Sequence, residues 1–296
     1  MKLTNKHNLP EFIVNAILND PYDNEGSDYT ATQIVAPPRV VHLTKRHWDE
    51  IEEDAIDYAW RLYGQAMHVV IERGRVDNAF QEVRAHLKYL DRDISGAADF
   101  LNATGLLQDF KNSKAWKKLF GFKDWIAQVN VLAVLFRANG FLVEQGELVC
   151  FWRDWNEKQS LRNPVYPRIP IETIPVELWP DEQAREYLEM SVQLLIQCES
   201  MPDDALPECT PEEMWERPTQ WAVMKQGRKS AARVLDSEAE ALAFIAADAK
   251  NGNAMTVVRR PGSRVRCERY CPVNKFCNSF ADYLAGGGAP ESGEGE

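Results

Sequence analysis

The sequence predicts an α/β protein, a mixed β-sheet flanked by helices. Three observations carry the expectation. Strand-like runs at 79–90, 94–101 and 105–111 follow one another across gaps short enough for hairpin loops. Stretches with helical apolar spacing, at 47–73 and 123–138, bracket that trio. Two more strand-like runs, at 147–152 and 170–178, lead into a helix opened by Pro180-Asp181. Proline suits that position because the first turn leaves its N–H groups unpaired in any case.

Taken in order, residues 1–46 form a lead-in, with a short helix at 10–18, a polar turn at 19–27 and a Pro37-Pro38 step. In 47–73 the apolar residues Trp48, Ile51, Ala55, Tyr58, Leu62, Ala66 and Val69 recur every three or four positions, which predicts one amphipathic helix. Its acidic start, DEIEEDAID, suits a helix N-terminus. Asp91-Arg92-Asp93 and Asn102-Ala103-Thr104 supply the hairpin loops, and Asn139-Gly140 ends the helix at 123–138. The helix at Pro180-Asp181 runs to about Cys198. From Met201 the composition shifts to Pro, Glu and Asp, as in a connector, before a helix near 237–247 and a cysteine-rich segment. The Gly-rich acidic end lacks apolar anchors and is expected to be disordered. The expected division is a lead-in (1–46), a core (47–200), a connector with a Cys-ligated segment (201–284) and a tail (285–296).

Charge narrows the function classes. With 34 Lys and Arg against 45 Asp and Glu, the formal charge is −11, which argues against a protein that coats nucleic acid non-specifically. Local positive charge survives in three clusters: Lys111, Lys114, Lys117 and Lys118; Lys225, Arg228, Lys229 and Arg233; and Arg259, Arg260, Arg264, Arg266 and Arg269. No apolar run reaches the roughly 20 residues of a membrane span, and no secretory signal opens the chain, so a cytoplasmic protein without a membrane partner is expected.

Several residues suited to metal chemistry fall on these elements in a fixed order. Gly64-x-x-x-His68-x-x-x-Glu72 lies late in the first long helix, where His68 and Glu72 are one turn apart. Gly96-Ala97-Ala98-Asp99 lies on the second strand, and Asp109-Phe110-Lys111 ends the third, where alternation puts Asp109 and Lys111 on one face. Two carboxylates on neighbouring strands can grip a hard cation such as Mg²⁺ or Mn²⁺, and a neutral imidazole adds a ligand suited to Mn²⁺. A lysine beside the cation can orient a water and offset negative charge developing on a phosphate. Each motif alone is common by chance; the ordered set is far more specific.

This order resembles the RecB-type branch of the PD-(D/E)XK nucleases, over roughly residues 40–180. The resemblance implies a restriction-endonuclease-like core and a metal-dependent DNA exonuclease acting on ends or single strands. It also implies His68, Asp99, Asp109 and the main-chain carbonyl of Phe110 as metal ligands, Lys111 as the catalytic lysine, and catalytic roles for Glu72 and Gln128. Gln128 matches the family's Q-x-x-x-Y motif, but residue 132 is Leu rather than Tyr. Lys114, Lys117, Lys118, Arg228 and Lys229 are the expected DNA contacts. Trp116, Trp125 and Trp221 are candidates for base stacking, with core packing expected for at least two of them.

Of six cysteines, Cys267, Cys271 and Cys277 lie within eleven residues, and Cys209 is the natural fourth. The spacings and the Cys271-Pro272 step favour a [4Fe–4S] cluster, with Zn²⁺ as the alternative occupant. Cys150, in a strand-like run, and Cys198, at a helix end, are expected simply to pack. AddB-type helicase-nucleases and CRISPR-associated RecB-like exonucleases carry such a cluster, although there the distant cysteine precedes the nuclease core. The stretch between the cysteines most resembles stand-alone bacteriophage nucleases. That implies a phage-encoded enzyme of recombination or repair, with recombination or CRISPR-related protein partners. A DNA-binding or counter-defence protein on a nuclease fold is the rival expectation.

Overall fold

A computed structural model describes residues 1–228, 230–248, 254–286 and 288. The chain forms two compact units. One comprises Met1–Val41 with Glu52–Ser200, and the other His42–Ile51 with the chain from Met201 onward. The strands are β1 (Lys2–Thr4), β2 (Tyr29–Thr30), β3 (Glu52–Asp54), β4 (Ala79–Tyr89), β5 (Arg92–Asn102), β6 (Leu106–Ser113), β7 (Gln145–Trp152), β8 (Ile171–Val176), β9 (Glu216–Arg217), β10 (Gln220–Lys225), β11 (Ala231–Leu235), β12 (Met255–Arg260) and β13 (Ser263–Arg264). The helices are α1 (Glu11–Leu18), α2 (Ala31–Ile34), α3 (Pro38–Arg46), α4 (Ala59–Ile71), α5 (Lys117–Phe120), α6 (Lys123–Ala138), α7 (Glu157–Arg162), α8 (Asp181–Glu199), α9 (Glu238–Asp248), α10 (Val265–Arg269) and α11 (Asn278–Ala285).

The first unit is the expected mixed sheet flanked by helices. Its strands run β2-β5-β6-β7-β8, with β4 paired to β5. The β4–β5 hairpin turns at Leu90 and Asp91, both left-handed (φ 48° and 57°), so Arg92 and Asp93 belong to the strand rather than to the expected loop. β6 and β7 are parallel over eight residue pairs, a crossover made possible by α6. α6 is the centre of the core, with Val129 to Phe136 all buried. Asn130, fully buried among them, donates to the Ile126 carbonyl and accepts from the Trp179 amide, so its polar ends are satisfied. Leu132 lies beneath Gly96: a Cβ added there would come within 2.5 Å of its Cδ2.

The helix expected at 47–73 is in fact interrupted. Residues 38–46 already form a helix that begins at Pro38, Glu52–Asp54 pair in parallel with Lys2–Thr4, and α4 starts only at Ala59. Asp54 stops the helix from extending backwards. Its carboxylate accepts from Thr4 Oγ1, from the Lys6 amide and, as a cap, from the Ile56 amide. Residues 1–41 group with the first unit and 42–51 with the other.

The second unit holds an antiparallel sheet in the order β11-β10-β12 and a short β9–β13 pair. None of these strands was anticipated, and the basic runs at 225–233 and 259–269 lie partly on them. Asp203 accepts from Arg46 at 2.6 Å and lies 2.8 Å from His47 Nε2, while the His47 ring stacks on Phe276 at 4.1 Å. Lys229 lies outside the described residues, as does the expected disordered tail apart from Ala285, Gly286 and Gly288.

Candidate metal centre

The centre forms where β5 and β6 part. Their ladder holds only Phe100↔Gln108 and Leu101↔Leu107, so Asp99 and Asp109 are the next residues opposite one another, just beyond the last pair. There a side chain replaces the ladder, and the Phe110 amide donates to Asp99 Oδ2. On the other edge of β5, the pairs Gln81↔Phe100 and Val83↔Ala98 set Glu82 opposite Asp99. Three carboxylates thus lie in a row across three strands. The chain deviates at one of them: Glu82 is left-handed (φ 52°). A left-handed residue without glycine's freedom is strained, and such strain concentrates at functional sites.

His68, on α4, completes the group. Its Nδ1 lies 2.9 Å from Glu82 Oε1 and 3.7 Å from Asp99 Oδ1. Among the described residues, His68, Glu82 and Asp99 are the set whose potential ligand atoms all lie within 4.8 Å of one another. Desolvation, followed by the charge of Asp109, pushes the Asp99 carboxyl up from 3.8 to about 7, with His68 opposing the shift. The bond to Glu82 raises the His68 imidazole above its ordinary 6.5, against burial. Both groups hold protons more tightly than usual, Asp99 chiefly through burial and His68 chiefly through its bond to Glu82.

Lys111 lies on the Asp109 side of the row. Its Nζ is 2.7 Å from Asp109 Oδ2 and donates to Gln128 Oε1 at 2.8 Å, so α6 fixes the ammonium from behind. It also lies 5.8 Å from the Trp125 ring centroid. Asn112, one residue further along β6, has both amide atoms buried without a protein partner.

Other expected residues stand elsewhere. Glu72 caps the end of α4 and pairs at 3.4 Å with Arg75, outside the His68 group; one turn of helix brings it near His68 in sequence but not into the set. Lys117 and Lys118 are engaged by Asp124 (3.0 Å) and Glu172 (2.8 Å), so a phosphate would have to compete with those carboxylates. Lys114 and Arg228 are exposed. Trp125 and Trp221 are half-buried, and Trp116 is exposed. Glu82 was not anticipated, because on an alternating strand it reads as an ordinary solvent-facing polar residue.

The four cysteines meet in the second unit. Burial, and then the neighbouring Glu213 and the other three thiols, pushes the Cys209 thiol up to about 12. Arg266 ties the two segments together, its amide bonding the Met214 carbonyl and its guanidinium the Glu213 carbonyl. Cys150 and Cys198 are fully buried in the first unit.

The first centre therefore has the make-up of a site for a hard divalent cation, with a fixed lysine beside it. The sequence matches no protein-family model and no curated protein. Among solved structures the chain is similar to SSO0001, at 18% identity and a TM-score of 0.45, over 64% of this chain and 86% of that one. It is also similar to a putative exonuclease from Eubacterium rectale, at 13% identity and a TM-score of 0.32, over 65% and 74%.

Proposed function

We propose that the chain is a Mg²⁺- or Mn²⁺-dependent deoxyribonuclease on a PD-(D/E)XK core, acting as an exonuclease on DNA ends or single strands. The observation that carries this reading is the carboxylate row Glu82–Asp99–Asp109, flanked by His68 and by a lysine held at 2.7 Å from Asp109. His68, Glu82 and Asp99 would hold the cation, with Asp109 beside them. The cation would supply charge neutralisation on the scissile phosphate and acidify a bound water. Lys111, fixed by Gln128, orients the attacking water and offsets charge developing on the phosphate. The test is digestion of end-labelled single- and double-stranded DNA with Mg²⁺ or Mn²⁺, alongside a circular control. Lys111→Ala should abolish cleavage while leaving folding and DNA binding in place. Full activity in that variant would sink the assignment. Binding without metal-dependent cleavage by the wild type would favour the DNA-binding or counter-defence alternative.

We further propose that Cys209, Cys267, Cys271 and Cys277 hold a structural [4Fe–4S] cluster. What supports the reading is that Cys209 lies close enough to Cys267, Cys271 and Cys277 for all three to act on its thiol, and that the three-residue spacing and the Cys271-Pro272 step suit such a cluster better than paired zinc ligands. Anaerobically purified protein should contain iron and sulfide. Stoichiometric zinc without iron would overturn the cluster. With the resemblance to phage nucleases, we propose a role in DNA end processing during recombination or repair.

A further inference from the structure

α4 buries none of its thirteen residues, and it exposes Trp60 (57%) and Tyr63 (54%). Two aromatic rings exposed about one turn apart on the helix that carries His68 offer a surface on which a planar group can stack. The Arg153 guanidinium lies over the Trp60 ring, 4.3 Å from its centroid. Arg153 is positioned by the sheet: its amide donates to the Ser113 carbonyl at 3.0 Å, and Ser113 is two residues beyond Lys111 on β6. The pair thus stands at the end of the strand that bears Asp109 and Lys111. Between Trp60 and His68 the helix presents Gly64, where an added Cβ would meet nothing closer than Asn112 Nδ2 at 4.0 Å. Trp60, Gly64 and His68 follow at intervals of four along the helix, so Trp60 and His68 are about 12 Å apart along its axis. That distance is spanned by roughly three to four nucleotides of a stacked strand at about 3.4 Å each.

We propose that Trp60 and Arg153 form a stacking site for an unpaired base of single-stranded DNA whose backbone leads to the His68–Glu82–Asp99 centre. The inference rests on the nuclease reading and adds to it a single-stranded substrate segment with a fixed footing. The chemistry is complementary in two ways. The indole offers a flat apolar surface that any base can cover, and the guanidinium stacked on it brings positive charge for the adjoining phosphate. Arg61, whose guanidinium lies 5.1 Å from the Tyr58 ring centroid, adds a second cation at the same end of α4.

The test is fluorescence anisotropy in EDTA, which prevents cleavage, with labelled oligo(dT) and an abasic phosphodiester of equal length. Wild type should bind oligo(dT) more tightly than the abasic strand. Trp60→Ala should weaken oligo(dT) binding by about tenfold, the effect of losing one stacked base, and leave the abasic strand little changed. Trp60→Phe should stay within about threefold of wild type. Thermal melting checks that the variants are folded, and the comparison of the two strands on wild type does not depend on them. Equal binding of the two strands by wild type, or an unchanged oligo(dT) affinity in folded Trp60→Ala, overturns the proposal. If wild type cleaves DNA while either of those results holds, only the stacking site fails. If wild type neither binds nor cleaves DNA, the nuclease reading fails with it.

Discussion

Lowering the pH from 8 to 6 should drive a divalent cation out of the candidate centre, because two of its ligands hold protons tightly. Asp99, with its carboxyl raised to about 7, must lose a proton before it can ligate. Competition by a proton of that affinity weakens metal binding about tenfold between pH 8 and 6. His68, whose imidazole is also raised by its bond to Glu82, adds to the loss in the same direction, since only the neutral imidazole ligates. The Asp99 contribution alone is about 1.4 kcal/mol, at 1.4 kcal/mol per factor of ten. Mn²⁺ titration by calorimetry at several pH values measures it directly. Repeating the titration at pH 6 in buffers of different ionisation enthalpy counts the protons released, which should exceed one per ion. Affinity that is flat between pH 6 and 8, with no proton release, would refute both the ligand assignment and the electrostatics behind it.

Three further outcomes follow from the same geometry. In the metal-free protein, the raised Asp99 pKa lends stability that is complete below its unfolded value of 3.8 and is lost as pH rises through about 7. Asp99→Asn removes that loss, so by urea unfolding it should exceed wild type at pH 8 by at most ~4 kcal/mol, with the difference vanishing near pH 4. Glu82→Gly and Glu82→Ala both remove the carboxylate and should weaken Mn²⁺ binding alike. The glycine variant should be the more stable by about 1 kcal/mol, because its backbone accepts φ 52° without a Cβ penalty. Gly96→Ala should destabilise by about 1–3 kcal/mol in the same assay. Its Cβ would stand 2.5 Å from Leu132, 2.9 Å from Leu135 and 3.0 Å from Ala31, all buried and without room to retreat.

Much of the sheet was legible because its signals are local. The helix at 123–138 has an apolar sequence and an Asn-Gly stop, and its observed bounds are the expected ones. The strands at 79–111 alternate and turn within a few residues. What failed was periodicity that continues across a break. Ile51, Ala55 and Tyr58 are buried as their spacing suggests, yet Trp48 and Val69 are more than half exposed. The acids that resembled a helix start instead form a strand with Lys2–Thr4, a pairing some fifty residues away that no local pattern records. The strands of the second unit were hidden differently: their arginines and lysines drew attention to charge and away from alternation.

The grouping of the candidate centre was legible where chemistry and spacing coincide, and lost where conformation decides. Asp99, Asp109, Lys111 and His68 stand on elements whose order fixes their rough positions, and Gln128 follows from the helix behind them. Glu72 and Glu82 separate the two cases. In sequence, Glu72 is one helical turn from His68 and should share its side, but α4 ends there and its carboxylate turns to Arg75. Glu82 lies fourteen residues from His68 and joins it only because β4 takes a left-handed step opposite Asp99. That step has no sequence signature, since glycine, asparagine or aspartate would ordinarily mark it. A glutamate at such a position costs about 1 kcal/mol of backbone strain, as do the left-handed Glu25, Leu90 and Trp215. What ties Glu82 to the candidate centre is its carboxylate, 2.9 Å from His68 Nδ1 on a strand register that sets it opposite Asp99. Backbone and carboxylate together account for the opposite signs expected of Glu82→Gly, which gains stability over alanine and loses the ion.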